Sequence, residues 1–371
     1  MAAVSLRFLD LISRQRGGLL FDLARGGLLA LSMPYLAAVT VRNAFYDYVP
    51  GRVRKIDRPV ISVGNITVGG SGKTPMVAWI AQRLMERQLK PALLLRGYKA
   101  APIASGTAAK SADAWRSQSD EAMVLKRLCP SAAVIIDPDR VAGAKRAIAG
   151  GADAVVLDDG FQHRRIARDL DIVLIDATRP FGYGHLLPRG LLRESTRSLR
   201  RASLIVLTRS DEVDESSRTL LMSTLRRVSG GKPVVAARHR FAGFVDVQGA
   251  SVPDAEPSAM RAVIFAGIAN FESFRRGLER SGVKVLASYQ YPDHHAYSRE
   301  EIDALPVVAA ELDANVVITT EKDAVKLEGR WTDPKLRVLS PRVGIDMDGE
   351  SAATVEAALA AALRIKPPAV P

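Results

Sequence analysis

The sequence predicts an α/β protein with a doubly wound, mostly parallel sheet, a second, smaller α/β domain and an N-terminal membrane-associated helix. Three observations lead to this prediction. Short, almost continuously apolar runs alternate with amphipathic segments, as in parallel strands that are covered on both faces. One of these runs ends in a glycine-rich loop that a helical stripe follows. An uncharged, leucine-rich stretch lies near the N-terminus.

The composition is that of an ordered globular chain that is long enough for two domains. Its 371 residues are 47% hydrophobic and 25% charged. The 52 Lys and Arg against 40 Asp and Glu give a net charge of +12, which favours anionic partners such as nucleic acid, acidic lipid headgroups or phosphorylated substrates. Cys129 is the only cysteine. The chain therefore has no internal disulfide framework and suits a reducing compartment.

The N-terminal stretch of residues 26–41 carries no charge and contains Pro34. It is shorter than the about 20 residues that a membrane-spanning helix needs. A cleaved signal peptide and a core helix are two interpretations. We favour a third, a helix in the membrane surface whose arginines face lipid phosphates. The arginines that precede the stretch are Arg7, Arg14, Arg16 and Arg25.

The first strand is predicted at residues 59–65, directly before the loop TVGGSGKT of residues 67–74. Apolar residues at helical spacing follow from position 76, and Pro75 suits a helix start. Strand, loop and helix are the context of a phosphate-binding P-loop, whose usual pattern is G-x-x-x-x-G-K-[ST]. Thr67 replaces the first glycine, which the loop tolerates if the φ angle of Thr67 is not left-handed.

In this interpretation the loop amides and the helix N-terminus surround phosphate oxygens. Lys73 would reach the β- and γ-phosphates of a nucleotide, and Thr74 would offer its hydroxyl to Mg²⁺. The residues assigned to nucleotide binding are Thr67, Val68, Gly69, Gly70, Ser71, Gly72, Lys73 and Thr74.

Further short strands are predicted at residues 92–95, 133–137, 154–159, 171–176 and 203–208. The strand at 154–159 ends in Asp158 and Asp159, the place where P-loop enzymes keep a Mg²⁺-binding carboxylate. A helix cap beside a surface aspartate is the alternative. His163 follows closely and, considered alone, favours a structural role.

Three other polar segments draw attention. Asp120 and Glu121 lie at a predicted helix start, where their residue types indicate capping. Arg140 follows a strand, where it could clamp a phosphate or pair with a neighbouring aspartate. Residues 188–201 are rich in arginine at spacings of four, which indicates one helical face that is either solvated or bound to an anionic headgroup or phosphate.

The second domain begins after a stretch rich in Gly, Ser, Pro and Asp. In its turn 291–298, His294 and His295 suggest a metal, but no further histidines or cysteines complete a zinc set. A histidine that assists a carboxylate base is the better functional interpretation. The predicted division is residues 1–50 as the membrane-associated segment, 51–240 as the P-loop domain, 241–260 as the linker and 261–371 as the smaller domain.

Taken together, these motifs resemble the tetraacyldisaccharide 4′-kinase family, and the loop that begins at Thr67 is the form this family has. The resemblance covers nearly the whole chain. The matching segments are GNITVGGSGKTP, RGY, SDE, DPDR, LDDGFQHRR, GHLLPRGLLRE, PDHHAYS and TEKDAVKL.

The resemblance implies transfer of the γ-phosphoryl group of ATP, with Mg²⁺, to the 4′-hydroxyl of a tetraacyldisaccharide 1-phosphate. The product is lipid IVA, in lipopolysaccharide synthesis. It also implies a peripheral or monotopic enzyme on the cytoplasmic face of the inner membrane. The expected partners are the lipid A precursor and inner-membrane lipids, with no nucleic acid, and the expected state is a monomer.

The resemblance also assigns roles to residues. Asp120 matches the proposed general base, with His294 as its dyad partner, although His295 is an alternative match. Asp158, Asp159 and Glu194 match acids around Mg²⁺ and phosphate. The candidates for substrate binding are Arg140, His163, Arg189 and Arg193.

Two other classes of function remain as alternatives. A GTP-dependent maturation factor or metallochaperone would share the P-loop. The segment TRSD at 208–211 distantly resembles the base-reading N-K-x-D loop of GTPases, with Thr208 in place of Asn. A membrane-bound nucleotide sensor without catalysis is the second alternative. A preference for ATP over GTP separates the kinase from the first class, and turnover with a lipid acceptor separates it from the second.

Overall fold

The computed structural model describes residues 8, 10–13, 17–97 and 119–364. They form two compact units. The large unit contains the described residues up to 97 together with 129–239 and 345–364, and the small unit contains 119–128 and 240–344. Arg7, Arg14, Arg16 and Tyr98 of the RGY motif lie outside the described residues.

The strands are, in chain order, β1 (Val60–Asn65), β2 (Pro91–Leu95), β3 (Ala133–Ile136), β4 (Ala154–Asp158), β5 (Leu170–Asp176), β6 (Leu204–Thr208), β7 (Val234–Ala236), β8 (Arg238–Val245), β9 (Ser251–Val252), β10 (Arg261–Ala266), β11 (Lys284–Gln290), β12 (Val316–Ile318) and β13 (Arg337–Asp346). The α-helices are α1 (Leu19–Tyr48), α2 (Lys73–Glu86), α3 (Asp120–Leu128), α4 (Arg140–Ala149), α5 (Glu215–Ser229), α6 (Phe271–Arg280), α7 (Arg299–Glu311), α8 (Glu321–Ala324) and α9 (Gly349–Leu363).

The large unit is built on a seven-stranded sheet in the order β3-β2-β4-β1-β5-β6-β7. Every neighbouring pair in it is parallel. All residues of β1, β2, β4, β5 and β6 are buried, as expected for strands that are covered on both faces. The predicted doubly wound sheet is therefore confirmed, and its seventh strand, β7, had no clear signal in the sequence.

The small unit contains a six-stranded sheet in the order β11-β10-β12-β13-β8-β9. Its alternate residues face two different cores. Ile264 of β10 packs in a cluster with Phe271 of α6, whereas Phe265 packs in a cluster with Ile302 of α7. The sheet is mixed, because β10 pairs in parallel with β11 and β12 while β8 and β9 are antiparallel. The predicted second α/β unit is present.

Helix α1 is longer than the uncharged run in the sequence suggested. It has 30 residues and continues through Pro34. By length and composition it could cross a membrane, and only 6% of its most apolar window is buried. This low burial argues against the interpretation of α1 as a core helix.

The two units are not the continuous segments that the sequence suggested. Helix α3 belongs to the small unit, where Met123 and Val124 pack on Val325. The last helix, α9, belongs to the large unit, where its Glu356 pairs with Arg83 of α2 and with Arg87, the residue after α2. Contacts between residues that are distant in the chain decide both placements.

The helical interpretation of residues 188–201 is wrong. A short 3₁₀ helix covers Thr196–Arg201, and the residues before it pair with the loop that follows β1. The amide of Val68 donates to the carbonyl of Leu191 over 2.8 Å, and the amide of Arg193 donates to the carbonyl of Ile66 over 2.7 Å. These backbone bonds replace those of a helix.

Candidate functional site

The loop between β1 and α2 forms a glycine-rich turn at the carboxyl edge of the large sheet. Gly69 has φ of 120° and Gly72, the residue before α2, has φ of 84°, a conformation that glycine adopts without strain. Thr67 is not among the described residues with positive φ. It forms an antiparallel bridge with Leu192 instead. Thr67 therefore replaces the usual glycine without distorting the loop.

The side chain of Lys73, in the first turn of α2, faces an acid from the neighbouring strand. Its Nζ lies 3.7 Å from Oδ1 of Asp159, whose Oδ2 accepts a hydrogen bond of 2.7 Å from Arg193. Burial tends to raise the pKa of Asp159, but the charges of Lys73 and Arg193 outweigh it and lower the pKa to about 2. Two cations and one carboxylate thus lie beside the glycine-rich loop.

Asp158 is the last residue of β4 and Asp159 follows it; β4 lies next to β1 in the sheet, with Val63 paired to Asp158. Parallel neighbours end at the same edge, so both acids lie where the glycine-rich loop begins. Asp158 is buried at 6% exposure, and Asp159 has a φ of 52°. A left-handed aspartate is uncommon and is a feature of functional turns.

Arg140 and His163 lie close to the end of β4, and Arg140 is enclosed by protein. Arg140 is 1% exposed and donates a hydrogen bond of 2.9 Å to the carbonyl of Asp158. Burial lowers its pKa to about 10, against the opposite effect of Asp158 and Asp159. Burial and the charge of Arg140 lower the pKa of His163 to about 4, so this imidazole is neutral at pH 7. As folded here, the Arg140 guanidinium holds the end of β4 and is enclosed by protein.

The arginines of residues 188–201 differ in burial, because Arg189 is buried and Arg193 and Arg201 are partly buried, whereas Arg197 and Arg200 are exposed. Arg189 is 3% exposed and donates a hydrogen bond of 3.0 Å to the carbonyl of Ile12. Arg201 pairs with Glu194 over 2.8 Å and lies over the ring of Phe161 at 4.6 Å. Arg193, which contacts Asp159, is the arginine of this segment that lies beside the glycine-rich loop.

Glu194 is buried among basic and amide side chains. It is 1% exposed, and its carboxylate contacts Arg42 at 3.1 Å, Asn43 at 2.8 Å and Arg201 at 2.8 Å. Arg42 and Asn43 belong to α1, so the acid joins this helix to the rest of the large unit. The resemblance placed Glu194 near Mg²⁺, whereas the structure surrounds both of its oxygens with cations and an amide.

A second polar cluster lies in the small unit, around Asp120 at the start of α3. Its Oδ2 lies 3.3 Å from Nδ1 of His294 and 3.0 Å from Nζ of Lys326. Lys326 also pairs with the fully buried Asp323 over 3.0 Å. His295 lies elsewhere: it contacts Glu301 at 2.9 Å and stacks on Tyr291. His294, rather than its neighbour, is the histidine that contacts Asp120.

The charges in this cluster keep Asp120 ionised. Burial tends to raise the pKa of Asp120, but the hydrogen bond from His294 and the charge of Lys326 outweigh it, so the pKa lies below the usual range. Glu121 is held by Lys322 over 2.8 Å, and although burial opposes it, this charge lowers the pKa of Glu121 to about 2. Asp120 is therefore a carboxylate that can accept a proton at neutral pH.

Comparison with known proteins decides the family. The sequence profile described as Tetraacyldisaccharide-1-P 4′-kinase (LpxK) matches residues 25–364. The chain belongs to this family. A tetraacyldisaccharide 4′-kinase from Anaeromyxobacter dehalogenans (strain 2CP-C) is 40% identical over 322 residues, 85% of this chain and 84% of that protein. One from Anaeromyxobacter sp. (strain K) is 39% identical over 364 residues, 95% of each chain.

A solved structure of the family has the same fold. The crystal structure of the "apo" form of LpxK from Aquifex aeolicus in complex with ATP aligns with a TM-score of 0.70 at 28% identity. The alignment covers 92% of this chain and 99% of that one. The agreement includes most of both units, so the fold expected from the resemblance is confirmed.

The residues of the kinase motifs suit a nucleotide with Mg²⁺ in their donor types. The Thr74 hydroxyl, in the first turn of α2, and the Asp158 and Asp159 carboxylates supply the oxygen ligands that Mg²⁺ prefers. Among the residues that the structure describes, no cluster of three or more His, Cys, Asp or Glu side chains is arranged to hold a metal ion. In a P-loop, phosphate oxygens complete the ligand set.

Sequence reasoning missed several residues that contact the predicted ones. Lys326, which pairs with Asp120, lies in the quoted segment TEKDAVKL, where its charge three residues after Asp323 was the available signal. Thr208 and Arg209 contact the backbone of the P-loop. Their position directly after a strand of the same sheet as β1 could have indicated this, because such ends share one edge.

Proposed function

We propose that this chain transfers the γ-phosphoryl group of ATP to the 4′-hydroxyl of tetraacyldisaccharide 1-phosphate, forming lipid IVA for lipopolysaccharide synthesis. The observation that carries the proposal is an intact P-loop, with Lys73 beside the acids of β4, in a chain that matches the kinase family over residues 25–364. The names of the relatives and the ATP in the Aquifex aeolicus structure support the substrate and the phosphoryl donor.

In this proposal the P-loop amides and the N-terminus of α2 bind the phosphates, with Lys73 on the β- and γ-phosphates. Asp159 contacts both Lys73 and Arg193. Both cations can turn to phosphate oxygens, because a polyphosphate offers more negative charge than one carboxylate. Thr74 and Asp158 or Asp159 would hold Mg²⁺, which neutralises charge that develops on the transferred group.

Asp120 is proposed as the base that accepts the proton of the acceptor hydroxyl, with His294 as its partner. Oδ2 of Asp120 is occupied by His294 and Lys326, which fixes the orientation of the carboxylate. Its low pKa keeps it deprotonated. A weak base suffices here, because phosphoryl transfer proceeds through a loose transition state in which the attacking hydroxyl needs little activation.

Glu194 is proposed as a structural residue instead of a ligand of Mg²⁺. Its contacts with Arg42, Asn43 and Arg201 engage both carboxylate oxygens. We propose that Glu194 anchors α1, and that the metal ligands come from the P-loop and β4.

Helix α1 is proposed to hold the enzyme at the cytoplasmic face of the inner membrane as a monotopic protein. Ser32, Tyr35 and Asn43 bind residues of the large unit along one side of the helix. Leu23, Leu31 and Val41 are 65%, 60% and 69% exposed, and the spacing of Leu23 and Val41, five full helical turns, places these two residues on the side opposite Ser32. Such an apolar face suits the bilayer that holds the acyl chains of the acceptor.

The membrane contact can be tested with vesicles that contain anionic lipid. We expect the variant Leu23→Asp/Leu31→Asp to lose sedimentation with the vesicles while Leu220→Asp, which changes a residue of α5 that is 69% exposed, keeps it. Equal binding by both variants would remove α1 as the anchor.

The catalytic test is transfer of labelled γ-phosphate to tetraacyldisaccharide 1-phosphate in mixed micelles, with ATP or GTP as donor. We expect labelled lipid from the wild-type protein with ATP, and strong loss in Lys73→Ala and Asp120→Asn. Lys90→Ala and Asp254→Asn, which change exposed residues, are the controls. A folded wild-type chain that binds nucleotide and labels no lipid would contradict the proposal, and a preference for GTP would favour a GTPase.

A further inference from the structure

The carbonyl groups of the P-loop are held by side chains from outside the loop. The Thr208 hydroxyl donates a hydrogen bond of 3.0 Å to the carbonyl of Ser71, 137 positions away in the chain. The Arg209 guanidinium donates one of 3.0 Å, from Nη1, to the carbonyl of Gly70. Thr208 is the last residue of β6 and Arg209 follows it. Two consecutive residues at the end of this strand therefore bind two consecutive carbonyls of the loop.

A third side chain holds the same loop from the end of β1. The Asn65 amide lies 3.5 Å from the carbonyl of Gly69 and donates a hydrogen bond of 2.9 Å to the hydroxyl of Ser71. Asn65 is fully buried, and Ser71 is 2% exposed. The carbonyls of residues 69, 70 and 71 are thus all directed toward side-chain donors at the strand ends.

The donors are themselves fixed. Arg209 is 9% exposed, has a φ of 52° and pairs with Asp176 at the end of the adjacent strand β5. Asp176 also accepts hydrogen bonds of 2.9 and 2.7 Å from the amide and hydroxyl of Thr178. Thr208 is fully buried. A non-glycine residue in a left-handed conformation is strained, and such strain persists where the surrounding contacts determine it.

The direction of these carbonyls matters for anion binding. A loop that binds phosphate has to present its amides to the anion, while a carbonyl that faced the phosphate would repel it. Hydrogen bonds that hold the carbonyls on the far side keep the amides directed toward the phosphate before it arrives. Binding then costs less conformational entropy than ordering a free loop.

We propose that Thr208 and Arg209 are positioning residues for polyphosphate binding, which act by holding the Ser71 and Gly70 carbonyls away from the bound phosphates. The inference rests on the nucleotide use proposed above. It assigns to the segment TRSD a role at the phosphates instead of at a nucleotide base. Neither residue needs to contact the nucleotide.

The test compares Thr208→Val, which removes the hydroxyl at nearly constant shape, with Thr208→Ser, which keeps it. Titration calorimetry with inorganic tripolyphosphate measures phosphate binding without a base or a lipid. We expect Thr208→Val to weaken tripolyphosphate binding, and to raise KM for ATP, by about five- to tenfold. Thr208→Ser and the exposed control Thr219→Val stay within about twofold of the wild type, and KM for the lipid acceptor is unchanged in all three.

Two results would overturn the inference: unchanged tripolyphosphate affinity in folded Thr208→Val, or an equal rise of KM for ATP and for the acceptor. If Thr208→Val does not fold, Arg209→Met/Asp176→Asn, which removes both charges of the pair, decides between the same outcomes. Because tripolyphosphate binding needs no lipid, the readout stands even if the wild-type enzyme fails to phosphorylate the acceptor. A wild-type enzyme that fails to phosphorylate the acceptor would contradict the proposed function and leave the inference about Thr208 and Arg209 untouched.

Discussion

The two polar sites of this protein are built in opposite ways. The P-loop of the large unit is a continuous stretch in which backbone amides supply most of the phosphate donors beside the side chains of Lys73 and Thr74, and only its anchors come from elsewhere. The Asp120 cluster of the small unit consists of side chains alone, with Asp120 and His294 separated by 174 positions. A backbone site depends on conformation and tolerates changes of side chain, whereas a side-chain cluster depends on the identity of each member.

The largest effect in this comparison is expected from Lys73→Ala, since Lys73 is the one charged side chain within the P-loop sequence itself. Removing a preorganised donor to a developing charge lowers kcat by roughly a hundred- to a thousandfold. The measurement is the rate of lipid phosphorylation at saturating ATP, with Lys90→Ala as the control. A loss of less than about tenfold would mean that the backbone of the loop carries nearly all of the effect.

Asp120→Asn is expected to lower kcat by roughly a hundredfold, within the usual range for a general base, and to leave KM for ATP unchanged. The reason is that a general base acts on the acceptor hydroxyl in the transition state and does not bind the nucleotide, and the contacts of Asp120 are with His294 and Lys326. Steady-state kinetics with each substrate varied in turn measure both constants. If Asp120→Asn is as active as the control Asp254→Asn, Asp120 is not the base, and the kinase assignment still stands.

Glu194→Gln separates a structural acid from a metal ligand. Losing the charge between Arg42 and Arg201 leaves two cations less well paired, which we expect to lower the free energy of unfolding by roughly 3 kcal/mol. The Mg²⁺ dependence of the remaining activity should match that of the wild type. Denaturant unfolding and a Mg²⁺ titration measure the two effects, and a raised Mg²⁺ requirement at unchanged stability would restore Glu194 as a ligand.

The smallest effect is expected from Lys326→Met, and it appears in the pH profile. The charge of Lys326 helps to lower the pKa of Asp120, so its removal raises that pKa. A base acts when deprotonated, and the acid limb of kcat/KM should therefore move to higher pH.

The control for this experiment is Lys335→Met, which changes an exposed lysine, and Lys326→Arg should restore the acid limb toward its original position. An acid limb that stays in place in Lys326→Met would show that Asp120 does not control it, and the assignment of the base would then move to another group.

Much of the large unit could be predicted because its signals are local. Six strands from 59–65 to 203–208 were predicted from short apolar runs, and all of them except β3 are fully buried, because both faces of the sheet are covered there. Local pattern failed where long-range bonds replace local ones. Residues 188–201 have helical arginine spacing, but Leu191 and Arg193 bond the backbone of the P-loop segment instead.

The site divides in the same way. The residues of the P-loop and the acids of β4 follow from motif and position, because parallel strands end at one edge. Considered from its neighbours alone, Asp120 indicated a helix cap. Its contacts with His294 and Lys326 exist only in the folded chain. The place of Glu194 near Mg²⁺ and phosphate came from the resemblance alone, and only the folded chain shows its contacts with Arg42, Asn43 and Arg201.

The sequence by itself determined the α/β class, the P-loop from Thr67 to Thr74 and, through its motifs, the kinase family. The fold class, the P-loop and the motifs depend on residues that are close together in the chain, so the spacing of residue types is enough to predict them. Only the tertiary structure decided that Lys326 holds Asp120, that Glu194 holds α1, and that Thr208 and Arg209 hold the P-loop. Each of these is a contact between distant segments, which side-chain packing brings together and which no local pattern records.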